Sequence, residues 1–123
     1  MTTMDIANKL VALCREGKNE EALRVLYAED AVSVEAGAPP GEDPERKGLA
    51  AIRAKSEWWY ANHDIHGVTI TGPWPHGDRF IVGFKIDVTP KATGQRFQME
   101  EMALYTIRNG KIVREEFFYR MGG

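Results

Sequence analysis

The stretch that decides the fold runs from Gln95 to Arg120, QRFQMEEMALYTIRNGKIVREEFFYR. Arg108-Asn109-Gly110 interrupts it between two runs of apolar, aromatic and charged residues. Asn-Gly at such a place signals a hairpin, because both residues tolerate the positive φ that a tight turn needs. Two long strands follow, with carboxylates set among aromatic side chains. Successive side chains point to opposite faces of a strand, so the turn decides which set looks inward. A two-residue Asn109-Gly110 turn sets Ile107 opposite Ile112. A three-residue loop with Gly110 in a left-handed bulge moves the partner by one and exchanges the faces. The bulged register is the favoured one. It gathers Met99, Glu101, Ala103 and Tyr105 with Val113, Glu115, Phe117 and Tyr119 inside, and leaves Arg114 and Glu116 in water. The outer set then holds Met102, Leu104, Ile112 and Phe118. Four apolar side chains on one solvent face predict a covered surface, a homodimer contact through the sheet.

Upstream, Phe80, Val82, Phe84, Ile86 and Val88 alternate with Ile81, Gly83, Lys85, Asp87 and Thr89, a strand with one buried face. The segment from Gly72 to Asp78 holds Pro73, Pro75 and Gly77 and reads as a turn, with Val68 and Ile70 opening the sheet before it. The first half of the chain is helical. Thr3 caps a first helix whose Ile6, Leu10 and Leu13 share a face, and Gly17 ends it. Asn19 caps a second helix, with Glu20 and Glu21 favouring its dipole and Leu23, Leu26 and Tyr27 facing inward. A short strand, Ala31 to Glu35, precedes a loop rich in Gly and Pro. A third helix from about Arg46 to Asn62 puts Leu49, Ile52, Ser56, Trp59, Tyr60 and His63 on one face, with Trp58 opposite. Helices first and long strands after describe one α+β domain over residues 1–123: a curved antiparallel sheet wrapped around the N-terminal helices and enclosing a pocket.

The composition is that of an ordinary globular chain, 43% apolar and 28% charged. A net charge of −2 provides no basic field, which argues against nucleic acid as a partner. No apolar run approaches the roughly 20 residues that span a bilayer, and Met1 to Asp5 lacks the basic and apolar regions of a signal peptide. These features predict a cytoplasmic protein without a membrane partner. Cys14 is the single cysteine, so no internal disulfide forms, and its neighbours Leu10 and Leu13 mark it as a small buried hydrophobe. His63 and His66 are three apart, weak spacing for a metal site, and no metal or cofactor is expected.

Two segments carry a family likeness: Tyr27-Ala28-Glu29-Asp30-Ala31-Val32-Ser33-Val34-Glu35 followed by Gly48-Leu49-Ala50-Ala51-Ile52-Arg53, and Tyr105-Thr106-Ile107-Arg108-Asn109-Gly110-Lys111-Ile112-Val113. Taken in order over nearly the whole chain, the pattern resembles the SnoaL-like branch of the nuclear transport factor 2-like superfamily, with its ketosteroid isomerases and small polyketide cyclases. The resemblance implies a cone-shaped α+β barrel with a deep apolar cavity, dimerised through the sheet. It also implies that Glu35, eight residues after Tyr27, occupies the place of the isomerase base. The tyrosine that polarises the isomerase substrate falls on Ser56, and its protonated aspartic acid falls near Ala103. The base position is filled and both oxyanion donors are missing, which argues against isomerase chemistry of that type, since one lost donor costs about 2.7–4 kcal/mol of transition-state stabilisation.

The candidate catalytic residues are therefore Glu35, Glu101 and His63. Glu35 is a general base at a strand end. Glu101 nearly faces Glu115, and two close carboxylates in low dielectric share a proton, which makes an acid and a base. His63, on the inner helix face, is an acid or a partner for a pocket carboxylate. Tyr27, Ser56, Trp59, Phe84, Met99, Tyr105, Glu115, Phe117 and Tyr119 are the candidate substrate-binding residues. Three readings stay open: a cofactor-independent isomerase, cyclase or hydratase acting on a carbonyl-bearing apolar molecule; a non-catalytic small-molecule binder; and a dimerisation module.

Overall fold

The computed structural model describes residues 1–120, and the statements below concern these. Helices α1 (Thr3–Arg15) and α2 (Asn19–Leu26) lead into strand β1 (Tyr27–Val34). A three-residue strand β2 (Glu45–Lys47), absent from the sequence reading, precedes helix α3 (Leu49–Asn62). Strands β3 (His63–His76), β4 (Arg79–Pro90), β5 (Phe97–Arg108) and β6 (Lys111–Phe118) complete the chain. The six strands form one sheet in the order β2-β1-β6-β5-β4-β3. The sheet is open and mixed rather than a closed antiparallel barrel, because β1 runs parallel to its neighbour β6. This curved α+β sheet against three helices is the cone-like architecture expected of the chain.

Local chemistry explains the ends of the helices. Thr2, not Thr3, is the N-cap of α1: its hydroxyl accepts from the Asp5 N–H while the Asp5 carboxylate accepts from the Thr2 N–H. Gly17 takes φ 73° and lets the Lys18 N–H reach back to the Leu13 carbonyl, which stops the helix. Asn19 is the first helical residue of α2 rather than its cap, a place held by Lys18 without a side-chain bond. Tyr27 has already left that helix and opens β1. The Arg15 guanidinium donates to the Ile70 carbonyl at 2.8 Å and ties the end of α1 to β3.

The core lies between the helices and one sheet face. Ile6, Leu10, Leu26 and Ile52 from the helices meet Phe80, Val82, Ala103, Tyr105 and Ile112 from the strands. The Phe80 and Tyr105 rings stack with centroids 4.9 Å apart. Each such large side chain contributes about 1.5–3 kcal/mol by leaving water. Only the first half of α3 joins this core. Tyr60 is 46% exposed, so the inner face read for that helix ends before it, while Trp58 projects into solvent as expected.

The last hairpin departs from the sequence reading in an instructive way. The turn has two residues, with Asn109 at φ 51° and Gly110 at φ 73°, and Ile107 pairs with Ile112. The bulge sits further along: Thr106 pairs with Arg114, so Val113 is the extra residue. Ile112 is therefore buried rather than outward, and Val113 absorbs the offset. Beyond it, Tyr105 lies opposite Glu115 and Ala103 opposite Phe117, so the inward set of Glu101, Ala103, Tyr105, Glu115 and Phe117 is the expected one, reached by another route.

Deleting Val113 should remove the bulge without exchanging the faces, since Arg114 then follows Ile112 directly and Glu115 and Phe117 still point inward. The variant should therefore keep a cooperative melt, followed by circular dichroism. Were Val113 a regular strand residue, its loss would turn Glu115 and Phe117 outward and Arg114 and Glu116 toward the core. Buried groups without partners cost several kcal/mol each, enough to abolish that melt. A deletion variant that fails to fold would refute the role given to this bulge.

Candidate functional site

Three elements converge at one end of the inner face. Glu35 follows β1, and its N–H donates to the Pro44 carbonyl at 3.0 Å, which anchors the loop base. Gly48, at φ 92°, donates its N–H to the Ala31 carbonyl at 2.8 Å and sets the start of α3 against β1. That placement brings Lys55 over the sheet. Its ammonium donates to Ser33 Oγ at 2.5 Å and to Glu35 Oε1 at 2.6 Å, and it lies 5.0 Å from the centre of the Phe117 ring. The second Glu35 oxygen accepts from the Tyr119 hydroxyl at 2.8 Å. Burial first, then this bond to Glu35, raises the Tyr119 phenol.

Glu115 lies deeper, 4% exposed, and accepts from the Tyr27 hydroxyl at 2.5 Å. Burial raises its carboxyl, and the bond from Tyr27 and the Lys55 charge oppose the rise. Tyr27 and Tyr105 are also buried, and both phenols are raised well above their ordinary value by burial and by Glu115. The same burial pushes the Cys14 thiol up to about 11, which leaves it unreactive.

Glu101 is set apart. It lies on the inner face of β5, opposite Phe84 of β4, half-buried, and makes no hydrogen bond or ion pair among the described residues. Its carboxyl is pushed up to about 7, first by burial and then by Glu35, with Lys55 opposing and Glu115 adding a smaller push. Glu101 and Glu115 do not share a proton as a facing pair, since the bulge sets Tyr105, not Glu101, opposite Glu115.

Phe84 lies opposite Glu101 on β4, and Met99 precedes it on the same face of β5. Phe117 of β6 and Tyr119 just after it lie alongside that face. These, with Ser56 and Trp59 of α3, are half-buried. Neither packed nor free, they leave this end of the inner face half-covered, as a shallow recess. Next to it, an open cleft of about 350 Å³ lies between residues 34–36 and 116–119, with Glu35, Phe117 and Tyr119 in its wall. A second groove, about 440 Å³, lies between Asp30, Thr106 and Arg114 and involves none of the candidate catalytic or substrate-binding residues.

The structure thus brings together Glu35, Glu101, Phe117 and Tyr119 and places Tyr27, Tyr105 and Glu115 behind them, in the packed interior. His63 stands apart. It opens β3, its ring stacks on Trp59 at 3.7 Å, and its Nδ1 bonds the Trp59 carbonyl at 2.8 Å. Its ring serves the helix end and does not figure among the charges acting on Glu101. Lys55 is the residue that the sequence reading passed over. Its spacing from Ile52 and Trp59, three and four residues, was the available signal. Among the described residues no three His, Cys, Asp or Glu side chains gather as metal ligands would, and no helix is long and apolar enough to cross a membrane.

Comparison with known proteins agrees with this geometry. The SnoaL-like domain model matches residues 1–119. A provisionally assigned SnoaL-like polyketide cyclase (carbohydrate phosphatase) from Mesorhizobium loti is 44% identical, over 97% of this chain and 100% of that one, with a TM-score of 0.91. A protein of ketosteroid isomerase-like fold from Catenulispora acidiphila, solved in complex with trimethylamine, is 25% identical over 98% of this chain and 88% of that one, with a TM-score of 0.73. A provisionally assigned isomerase from Bacillus subtilis, 21% identical over 98% of this chain and 90% of that one, shares the fold with a TM-score of 0.80. The sequence matches no curated protein. With the family model covering the chain almost end to end and the sheet, helices and inward carboxylates in the arrangement described, this protein belongs to the SnoaL-like family of the nuclear transport factor 2-like fold.

Proposed function

We propose that the recess is a substrate site in which Glu101 exchanges a proton with a small, largely apolar, carbonyl-bearing molecule, without a cofactor. The observation that carries this reading is the state of Glu101: a half-buried carboxyl on the inner sheet face, without a partner among the described residues and pushed up to about 7 by burial and by Glu35. A group poised there is half acid and half base at neutral pH, the condition for general acid–base catalysis. Its carboxylate takes a proton from the carbon next to the carbonyl, and the electron pair moves onto the oxygen as an enolate. Return of the proton to another carbon isomerises the molecule; attack of the enolate carbon on a second carbonyl cyclises it. Glu35 is less free to take this role, since Lys55 and Tyr119 already bond both its oxygens. Trp59, Phe84, Met99 and Phe117 supply the apolar wall.

A second reading has its own support. An ammonium already lies over the Phe117 ring, and aromatic faces beside a carboxylate also suit a small organic cation held without turnover. The trimethylamine found on the Catenulispora relative fits this chemistry. The outer sheet face leaves Met102 43% and Phe118 54% exposed as cross-strand partners, with Leu104 half-buried beside them. We infer that a second copy covers this face in a homodimer.

Proton exchange at the carbon beside the carbonyl, followed by NMR in D₂O with small aromatic ketones such as 2-tetralone, separates the two readings. Catalysis predicts accelerated exchange that falls about a hundredfold in Glu101→Gln. Exchange equal in the two proteins would sink the acid–base reading, and stabilisation by trimethylamine without any exchange would favour the binder.

The pH dependence of stability gives an independent check. The folded-state value of Glu101, about 7, lies above its ordinary 4.5. Between these values the unfolded chain has released a proton that the folded chain keeps, so stability falls as pH rises through this window and levels off above it. Glu101→Gln removes its share of that fall: its stability relative to the parent should grow by about 2 kcal/mol between pH 4 and pH 8 in urea titrations. For the homodimer, Phe118→Glu should yield a monomer in sedimentation velocity while leaving the melt cooperative.

A further inference from the structure

Lys55 is the cation of the recess, and its surroundings fix it from two sides. Ser33, whose oxygen it holds, is fully buried, and Glu35 is braced in turn by Tyr119. An ammonium carries three N–H donors. Two are committed here, to Ser33 and Glu35, and the third remains for a guest. The ammonium also lies against Phe117, which lines the cleft. Glu101 sits on the neighbouring strand of the same face, within the field of this charge. A fixed cation and a partnerless carboxyl thus lie near enough for the charge of the first to act on the second. Ser56 and Ala103 offer no comparable charge: Ser56 is a neutral hydroxyl, and Ala103 is fully buried with no donor.

We propose that Lys55 is the oxyanion-binding residue of this site, so that the substrate class is a neutral carbonyl compound or phenol whose oxygen becomes negative beside the ammonium. This rests on the reading of the recess as a substrate site. As Glu101 takes the proton, the C–H bond breaks, a C=C bond forms, and the carbonyl π electrons move to oxygen. Lys55 donates a hydrogen bond to that oxygen and stays protonated. Charge created next to a donor already in place is stabilised without reorganisation, which is why such groups lower a barrier rather than merely tighten binding. Glu35 and Ser33 act as positioning residues: they aim the ammonium.

The probe is 4-nitrophenol, whose phenolate absorbs visibly and whose charge mimics the enolate oxygen. Its ionisation is titrated free and bound, in the parent and in Glu101→Gln, where the carboxyl's own titration no longer overlaps. A cation at the oxygen should lower the bound probe's pKa by about one unit or more. Lys55→Met should abolish the shift and weaken binding above neutral pH by about tenfold, and Lys55→Arg should restore most of both. Should Lys55→Met fail to fold, Glu35→Gln decides: it keeps the cation and removes its partner, so the shift should persist or grow, whereas a merely structural role for the ion pair would lose it. Binding of the probe with no change in its ionisation overturns the assignment of Lys55 and leaves the recess reading intact. No binding of the probe to a folded parent overturns both.

Discussion

The arrangement depends on one extra residue. A two-residue Asn109-Gly110 turn puts Ile107 and Ile112 in the core. Strict alternation from Ile112 would then send Arg114 and Glu116 inward after it. Val113, unpaired in the ladder, resets the alternation, so that Glu115 and Phe117 face the helices while Arg114 and Glu116 pair with each other outside at 2.5 Å. A bulge also sharpens the local twist of a strand, and this one lies in the strand that joins the parallel β1 to the antiparallel remainder of the sheet. It sets both the polarity of the core and the end of the sheet where the site lies.

Three carboxylates face this interior, and their surroundings give them different roles. Glu115 is sealed in and held by a tyrosine hydroxyl. Glu35 stands at the cleft wall with an ammonium on one oxygen and a phenol on the other. Glu101 has neither, so burial and the nearby Glu35 outweigh the Lys55 charge and its carboxyl rises to about 7. The half-buried Lys55 bonds Ser33 and Glu35, and its charge bears on Glu115 and on Glu101. Identical functional groups are thus separated by burial and hydrogen bonding alone, the general way one site acquires both an acid and a fixed base.

What was legible in the sequence follows from how each element is stabilised. The alternation from Phe80 to Val88 shows because one face of that strand is buried along its length. Strand β3 was hidden for the opposite reason. It lies at the edge of the sheet, where Pro73 and Pro75 cost no shared ladder bonds, so residues that read as a turn belong to a strand reaching His76. Strand β2 has three charged residues and no pattern of its own; its pairing with Ser33 and neighbours makes it a strand. In the site, Glu35 and Glu101 stood out as carboxylates at inward positions. Lys55 did not, because a lysine on a helix usually marks the solvent side, and only the fold reveals the carboxylate that draws it in. The parallel pairing of β1 with β6, which brings Ser33 beside Glu115, joins residues more than eighty positions apart and leaves no local trace.

The state of Glu101 carries one more consequence. A carboxyl that folding drives toward neutrality subtracts stability at physiological pH, and the chain has evident remedies nearby. A glutamine would avoid the charge, and Tyr119 or Lys55, both within its field, would quiet it by bonding to it. Instead both of those donors are committed to Glu35. The Glu101 oxygens still reach water, since no side-chain N or O atom among the described residues is both fully buried and unbonded, and carboxyls shifted by burial gather at functional sites. An arrangement that satisfies Glu35 twice and Glu101 not at all leaves the second carboxyl free for a partner that arrives from outside. That asymmetry, more than any likeness of fold, supports the proposed site.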